Sequence, residues 1–157
     1  MANEPLILTP SSAAETASRA AQLALELGPG DVILLQGDVG AGKTHFARAA
    51  IASLLTMPED IPSPTFTLVQ TYETDAGMIW HSDLYRLTST LEIEELGLTE
   101  AFEEAICFVE WPDRLGELAP ENALSLTFRA LEGEEEREIT AEWRDPKWRP
   151  KLAAWGL

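Results

Sequence analysis

The residues with the most chemistry in this 157-residue chain are Gly37-Asp38-Val39-Gly40-Ala41-Gly42-Lys43-Thr44. They read G-x-x-x-x-G-K-T, the spacing of a phosphate-binding loop. Glycine lets the backbone take positive φ and approach a ligand closely. The loop amides then turn inward and cradle phosphate oxygens. A helix starting near Lys43 adds its positive end. In that arrangement Lys43 reaches the β- and γ-phosphates, and the Thr44 hydroxyl ligates Mg²⁺. His45 offers its amide to phosphate, while its ring has no evident task. Lys43 is also the sole lysine before residue 147.

Two carboxylates are placed to complete such a site. Glu110 closes the apolar run Ala105-Ile106-Cys107-Phe108-Val109. Phosphate-loop enzymes hold Mg²⁺ or its water shell with a carboxylate at that kind of strand end. A carboxylate capping the next turn is the plainer alternative. Asp83 lies in His81-Ser82-Asp83-Leu84-Tyr85-Arg86. It is the candidate to orient an attacking water or take its proton, against an ion pair with Arg86 that only fixes a loop. Thr65, in Ser63-Pro64-Thr65-Phe66, has the setting of a residue that senses the γ-phosphate. A turn threonine fits equally. His81 reads better as a hydrogen-bonded strand histidine than as a proton shuttle.

The elements that must position these residues alternate. Val32–Gln36 is the strand feeding the loop, and His45–Leu55 reads as the helix after it. Before them, Leu6–Leu8 reads as a strand and 13–27 as a helix, with a Ser12/Glu15 capping box at its start and Gly28-Pro29-Gly30 stopping it. Pro58, Pro62 and Pro64 mark a loop. Residues 67–72 and 78–81 flank Asp75-Ala76-Gly77 as a hairpin. Leu91–Glu104 is helix-prone with a break at Gly97. Residues 105–109 form a fully apolar run, the pattern of a buried parallel strand. Carboxylates at the C-terminal ends of such strands face a ligand crevice. Residues 123–129 and 137–142 read as two late strands around a glutamate-rich turn, and 146–155 as a closing helix.

Composition sets outer limits. A single domain over residues 1–157 is the expectation at this length, with 45% hydrophobic residues to fill its core. The net charge of −16 argues against this chain alone gripping nucleic acid, though not against a basic partner that does. Cys107 is the only cysteine, which excludes an internal disulfide and a cysteine metal cluster. No run is long enough to span a bilayer, so a cytoplasmic location is the default. The tail, with Trp143, Trp148 and Trp155 among Arg144, Lys147, Arg149 and Lys151, is the one locally basic and aromatic stretch. It suits either a partner or RNA contact, or a terminal segment packing back.

Four blocks occur in a fixed order: Gly37–Thr44, Ser63–Val69, His81–Leu87 and Val109-Glu110-Trp111-Pro112, with Glu94-Glu95-Leu96-Gly97 between the last two. Over roughly Leu6 to Glu142 this set resembles the TsaE (YjeE) family of small bacterial ATPases. Those proteins are required for N6-threonylcarbamoyladenosine modification of tRNAs that read codons starting with A. The resemblance implies an α/β fold: a three-layer P-loop NTPase-type fold with a mostly parallel central sheet, helices on both faces and an antiparallel hairpin. It implies slow, Mg²⁺-dependent ATP hydrolysis stimulated by the partner proteins TsaD and TsaB, resetting their complex between turnovers. Contact with tRNA would be indirect or weak. ATP binding falls on Gly37, Asp38, Val39, Gly40, Ala41, Gly42, Lys43, Thr44 and His45, and magnesium on Thr44 and Glu110. Asp83 and Lys43 would be catalytic, and Thr65 switch-like.

Two features depart from the family pattern. Many members carry a second threonine where this chain has His45, and the stretch after Gly133 is unusually rich in glutamate. Contacts to the adenine base are therefore not transferred. Of the other functions, a small-molecule kinase needs an acceptor pocket and usually an arginine-bearing lid. The region after Glu110 is short and arginine-poor for one. A GTP switch needs an Asn/Thr-Lys-x-Asp segment, which three lysines in these positions do not supply.

Overall fold

A computed structural model describes residues 4–57, 59–64 and 67–156. One seven-stranded sheet runs through it in the order β1-β7-β6-β2-β5-β4-β3. The strands are β1 (Leu6–Leu8), β2 (Val32–Gln36), β3 (Val69–Thr74), β4 (Gly77–Asp83), β5 (Ile106–Glu110), β6 (Leu124–Ala130) and β7 (Arg137–Glu142). Strand β2 pairs in parallel with β5 and β6, and β4 pairs in parallel with β5. The antiparallel pairings are β3–β4, β6–β7 and β1–β7. So β1, β2, β4, β5 and β6 all run one way, and β3 and β7 oppose them.

Helices α1 (Ala13–Ala24) and α2 (Lys43–Leu54) cover one face. Helices α3 (Thr90–Glu95) and α4 (Leu98–Glu104), with a kinked 3-10 segment over Pro112–Leu118, cover the other. Alternation along the strands builds both cores. Ile33, Leu35, Ile106 and Phe108 pack with α1 and α2, while Val32, Leu34, Cys107 and Val109 pack with α3 and α4. Because both faces are buried, β2 and β5 carry apolar side chains on each side, hence their continuous hydrophobic runs.

Several boundaries differ from the sequence reading for local reasons. Helix α1 ends at Ala24 rather than Leu27. There Glu26 and Leu27 donate to Leu23 and Ala24 in tighter i→i+3 bonds. The Ser12 hydroxyl accepts from the Glu15 amide as a cap should, but the Glu15 carboxylate turns to the amide and hydroxyl of Ser11. Strand β3 starts at Val69 because Leu68 takes φ 69, outside the extended region. The tail forms only a short α5 (Trp148–Lys151) and a 3-10 turn at Ala153–Trp155. Pro150, which lacks an amide donor, sits inside that stretch.

This tail packs back on the body. Trp148 is fully buried and donates to the Asn122 carbonyl at 2.7 Å. Trp155 donates to the Arg19 carbonyl at 2.9 Å. Lys147 and Lys151 grip the buried Asp31 at 3.0 and 2.6 Å. Asp31 immediately precedes β2, so the tail closes the end of that strand opposite the phosphate loop.

Candidate active site

The register of the parallel strands sets the site. Leu35 pairs with Glu110, and Asp83 pairs with Glu110. The ends of β2, β5 and β4 therefore lie level, and the phosphate loop leaves β2 just above them. Asp83 and Glu110, as register partners, project from the same face, toward α2. The result is a crevice at the carboxyl edge of the sheet, where open α/β sheets bind ligands. A cavity of about 540 Å³ opens there.

Two glycines make the loop possible. Gly37 has φ 142, and a Cβ on it would meet the Phe128 carbonyl oxygen at 2.5 Å. Any side chain would push the loop off β6. Gly42 has φ 107 and caps α2 without a side-chain bond. Its backbone turns the loop straight into the helix, leaving the first amides of α2 at the cavity. Lys43 is buried at the base of the cavity. Its ammonium donates to the Gly37 carbonyl and lies 3.5 Å from the centroid of the Trp111 ring. Burial lowers the Lys43 pKa from its ordinary value, while Glu110, Asp83, Asp38 and Asp113 pull it back up.

Glu110 is buried, and both its oxygens are engaged. Oε1 accepts from the Thr44 hydroxyl at 2.6 Å, and Oε2 lies 2.7 Å from His81 Nε2. A carboxylate only accepts, so Nε2 is the donor. His81 is fully buried, and its Nδ1 meets no partner among the described residues. It therefore acts on the site through Glu110, whose carboxylate it holds together with Thr44. Asp83 is also buried at the cavity wall, and its Oδ1 accepts from the Tyr85 amide at 3.0 Å.

The cavity thus brings together Val39, Gly40, Gly42, Lys43, Thr44 and His45 of the loop and helix start with Asp83 and Glu110. The Asp38 backbone carbonyl accepts from the Ala41 amide, tightening the loop. The His45 ring reaches out to the Ala13 carbonyl at 2.9 Å, tying α2 to the start of α1. Thr65 lies outside the described residues, as do Phe66 and Pro58. Three wall residues escaped the sequence reading: Tyr85, Trp111 and Arg137. Trp111 has φ 60, a left-handed conformation uncommon for a large side chain, and its ring lies between Lys43 and Tyr85 (centroids 4.8 Å apart for the two rings). Only its place beside Glu110 hinted at this.

The chain is similar to known proteins over most of its length. The family model described as "Threonylcarbamoyl adenosine biosynthesis protein TsaE" matches residues 10–139. The chain belongs to the TsaE family. A relative from Rickettsia bellii (strain RML369-C), "tRNA threonylcarbamoyladenosine biosynthesis protein TsaE", is 40% identical over 84% of this chain and 90% of its own. A TsaE protein of that same description from Bacillus subtilis (strain 168) is 40% identical over 71% of this chain and 69% of its own. Among solved structures, "Crystal structure of Bacillus subtilus YdiB" superposes with a TM-score of 0.78 at 29% identity, covering 98% of this chain and 95% of that one. Like the TsaE members it matches, the chain has a P-loop NTPase-type α/β fold.

Proposed function

We propose that this chain is the Mg²⁺-dependent, ATP-binding and ATP-hydrolysing subunit of tRNA N6-threonylcarbamoyladenosine biosynthesis, acting with TsaD and TsaB. The observation that carries it is the meeting of the phosphate loop, Asp83 and Glu110 in one cavity at the carboxyl edge of the sheet. In this reading the amides of Gly40 to Thr44 hold the phosphates, helped by the N-terminal end of α2. Lys43 leaves the Gly37 carbonyl and the Trp111 face to meet the β- and γ-phosphates. His81 keeps Glu110 oriented, and Asp83 orients the attacking water and takes its proton.

The Thr44 hydroxyl and the Glu110 carboxylate, 2.6 Å apart, are hard oxygen donors of the kind Mg²⁺ takes in phosphate sites. These two residues would hold it. The ion would supply positive charge to offset the negative charge that develops in phosphoryl transfer.

Partner dependence is supported by what surrounds the mouth. Val39 and Tyr85 are exposed apolar residues there, suited to being covered by another protein. Of the two cavity cations among the described residues, Lys43 and Arg137, Lys43 is opposed by the carboxylates of Glu110, Asp83, Asp38 and Asp113. Arg137 is held on backbone carbonyls, so hydrolysis by the chain alone should be slow. Partners often add a cation in trans at such sites. No helix among the described residues is long and apolar enough to cross a membrane, and a cytoplasmic setting fits this role, as does one domain over residues 1–157.

ATPase measurement with and without TsaD and TsaB tests the proposal. Low turnover alone and a clear rise with both partners is expected, and Lys43→Ala should abolish ATP binding. Rapid turnover by the isolated chain would contradict it. So would labelled phosphate appearing on a metabolite, the outcome for a small-molecule kinase.

A further inference from the structure

Among the described residues, two non-glycine positions take positive φ: Leu68 at 69° and Trp111 at 60°. Such backbones are uncommon for large side chains. Both positions adjoin a carboxylate of the cavity. Trp111 follows Glu110 in the chain, and the Leu68 carbonyl accepts from the Asp83 amide at 2.9 Å. Strain of this kind persists only where the surroundings enforce it, and it gathers at active sites.

The ladder between β3 and β4 ends with Val69 opposite Ser82. Asp83 lies one residue past it, and Leu68 meets its amide from the turn that leads into β3. The left-handed backbone lets Leu68 serve two partners. Its amide donates to the Pro64 carbonyl at 2.7 Å while its carbonyl reaches β4. Its side chain packs against the core on the α3/α4 face. Gln70 braces the same turn, its Nε2 donating to Thr67 Oγ1 at 2.6 Å. On the far side of β4, the Leu84 amide donates to the Glu110 carbonyl at 3.1 Å. The main chain at Asp83 is therefore held from both neighbouring strands, and the hold on the β3 side depends on a strained residue.

We infer that Leu68 is a positioning residue for Asp83. Its left-handed backbone presents the carbonyl that fixes the end of β4, and so fixes where the Asp83 carboxylate meets the attacking water. This rests on the catalytic role proposed above for Asp83 and adds the residue that sets that aspartate's place.

ATP hydrolysis by the full chain with TsaD and TsaB, alongside calorimetric titration with ADP, tests it. Leu68→Ile keeps volume and hydrophobicity, but a β-branched residue resists positive φ. Its kcat should fall about tenfold or more, while the ATP KM and the ADP affinity stay within about twofold. Leu68→Asn and Leu68→Gly tolerate the left-handed region and should keep kcat within about threefold, although both lose the apolar side chain. In an Asp83→Asn background, Leu68→Ile should cost less than about twofold more, because the two residues act as one unit. If the isoleucine variant does not fold, Leu68→Ala carries the test: its kcat should lie below that of Leu68→Gly, since alanine resists positive φ and glycine does not. A fully active isoleucine variant, or an alanine variant as active as the glycine one, would overturn the inference. Inactive asparagine and glycine variants would give the role to side-chain packing and overturn it too. So would full additivity with Asp83→Asn, or a loss of ADP affinity that matches the loss of kcat. All these outcomes leave the ATPase reading standing. A wild-type chain with no partner-stimulated turnover would overturn that reading itself, and the positioning role with it.

Discussion

At the scale of single residues, the site separates holding from reacting. Glu110 is bound on both oxygens, by Thr44 and His81, and so suits a fixed ligand role. Asp83 presents its carboxylate at the cavity wall with Oδ1 on the Tyr85 amide. Asp83→Asn preserves an oxygen for that amide but cannot take a proton. Partner-stimulated turnover should fall roughly 10²-fold or more while ADP affinity holds within about twofold. Normal turnover would leave Asp83 only a loop-fixing role. Cys107 is a different case: it is fully buried away from the cavity, donating to the Ala101 carbonyl at 3.5 Å. Burial pushes its thiol up from 9.0 to about 12. A folded thiol that stays protonated while the unfolded one ionises costs stability as pH rises from about 9 toward 12. The slope is about 1.4 kcal/mol per pH unit. Relative to Cys107→Ala, the native chain should therefore lose about 1 kcal/mol between pH 9 and 10, where the unfolded thiol is still completing its ionisation, in urea titrations. A gap that is independent of pH would mean the thiol is not shielded in solution.

Among the elements, legibility in the sequence tracks how local each determinant is. Strands β2 and β5, the phosphate loop and the break at Gly97 are written in adjacent residues, and they lie where the sequence reading puts them. The roles of Trp111 and Arg137 are not, because they depend on a left-handed backbone and on β6 lying beside β2. The tail shows the same limit. Its aromatic and basic residues suit a nucleic-acid contact as well as they suit packing, and only the buried partners of Trp148, Lys147 and Lys151 decide for packing. Trp148→Ala should cost about 3–5 kcal/mol in urea or thermal unfolding. It should leave ADP affinity unchanged, since the tail closes the end of β2 opposite the loop, about 17 Å away along five residues. A matching loss of ADP affinity would show that the tail supports the site directly.

For the molecule as a whole, charge sets the terms of both stability and association. A net charge of −16 on 157 residues repels itself in the compact state and must accept a polyanionic nucleotide. Under the proposed function, the carboxylates at the cavity would make Mg²⁺ and the cations of the loop flanks essential to that acceptance. They also favour a partner that brings positive charge to the mouth. The self-repulsion has a direct consequence in the isolated chain. Exposed charges more than about 10 Å apart are largely screened at 0.1 M salt, so added salt should relieve it. The Asp31 clamp is little affected, since Asp31 is buried and its lysines are mostly covered. Raising NaCl from about 20 to about 500 mM, well past the point where the screening length falls below that spacing, should therefore stabilise the fold. A gain of about 1–2 kcal/mol corresponds to a rise in melting temperature of several degrees for a chain of this size. Scanning calorimetry at fixed pH and several NaCl concentrations measures it. A fall in melting temperature would mean that local ion pairs outweigh the global repulsion, and that the acidic surface is arranged in compensated clusters rather than as a net field.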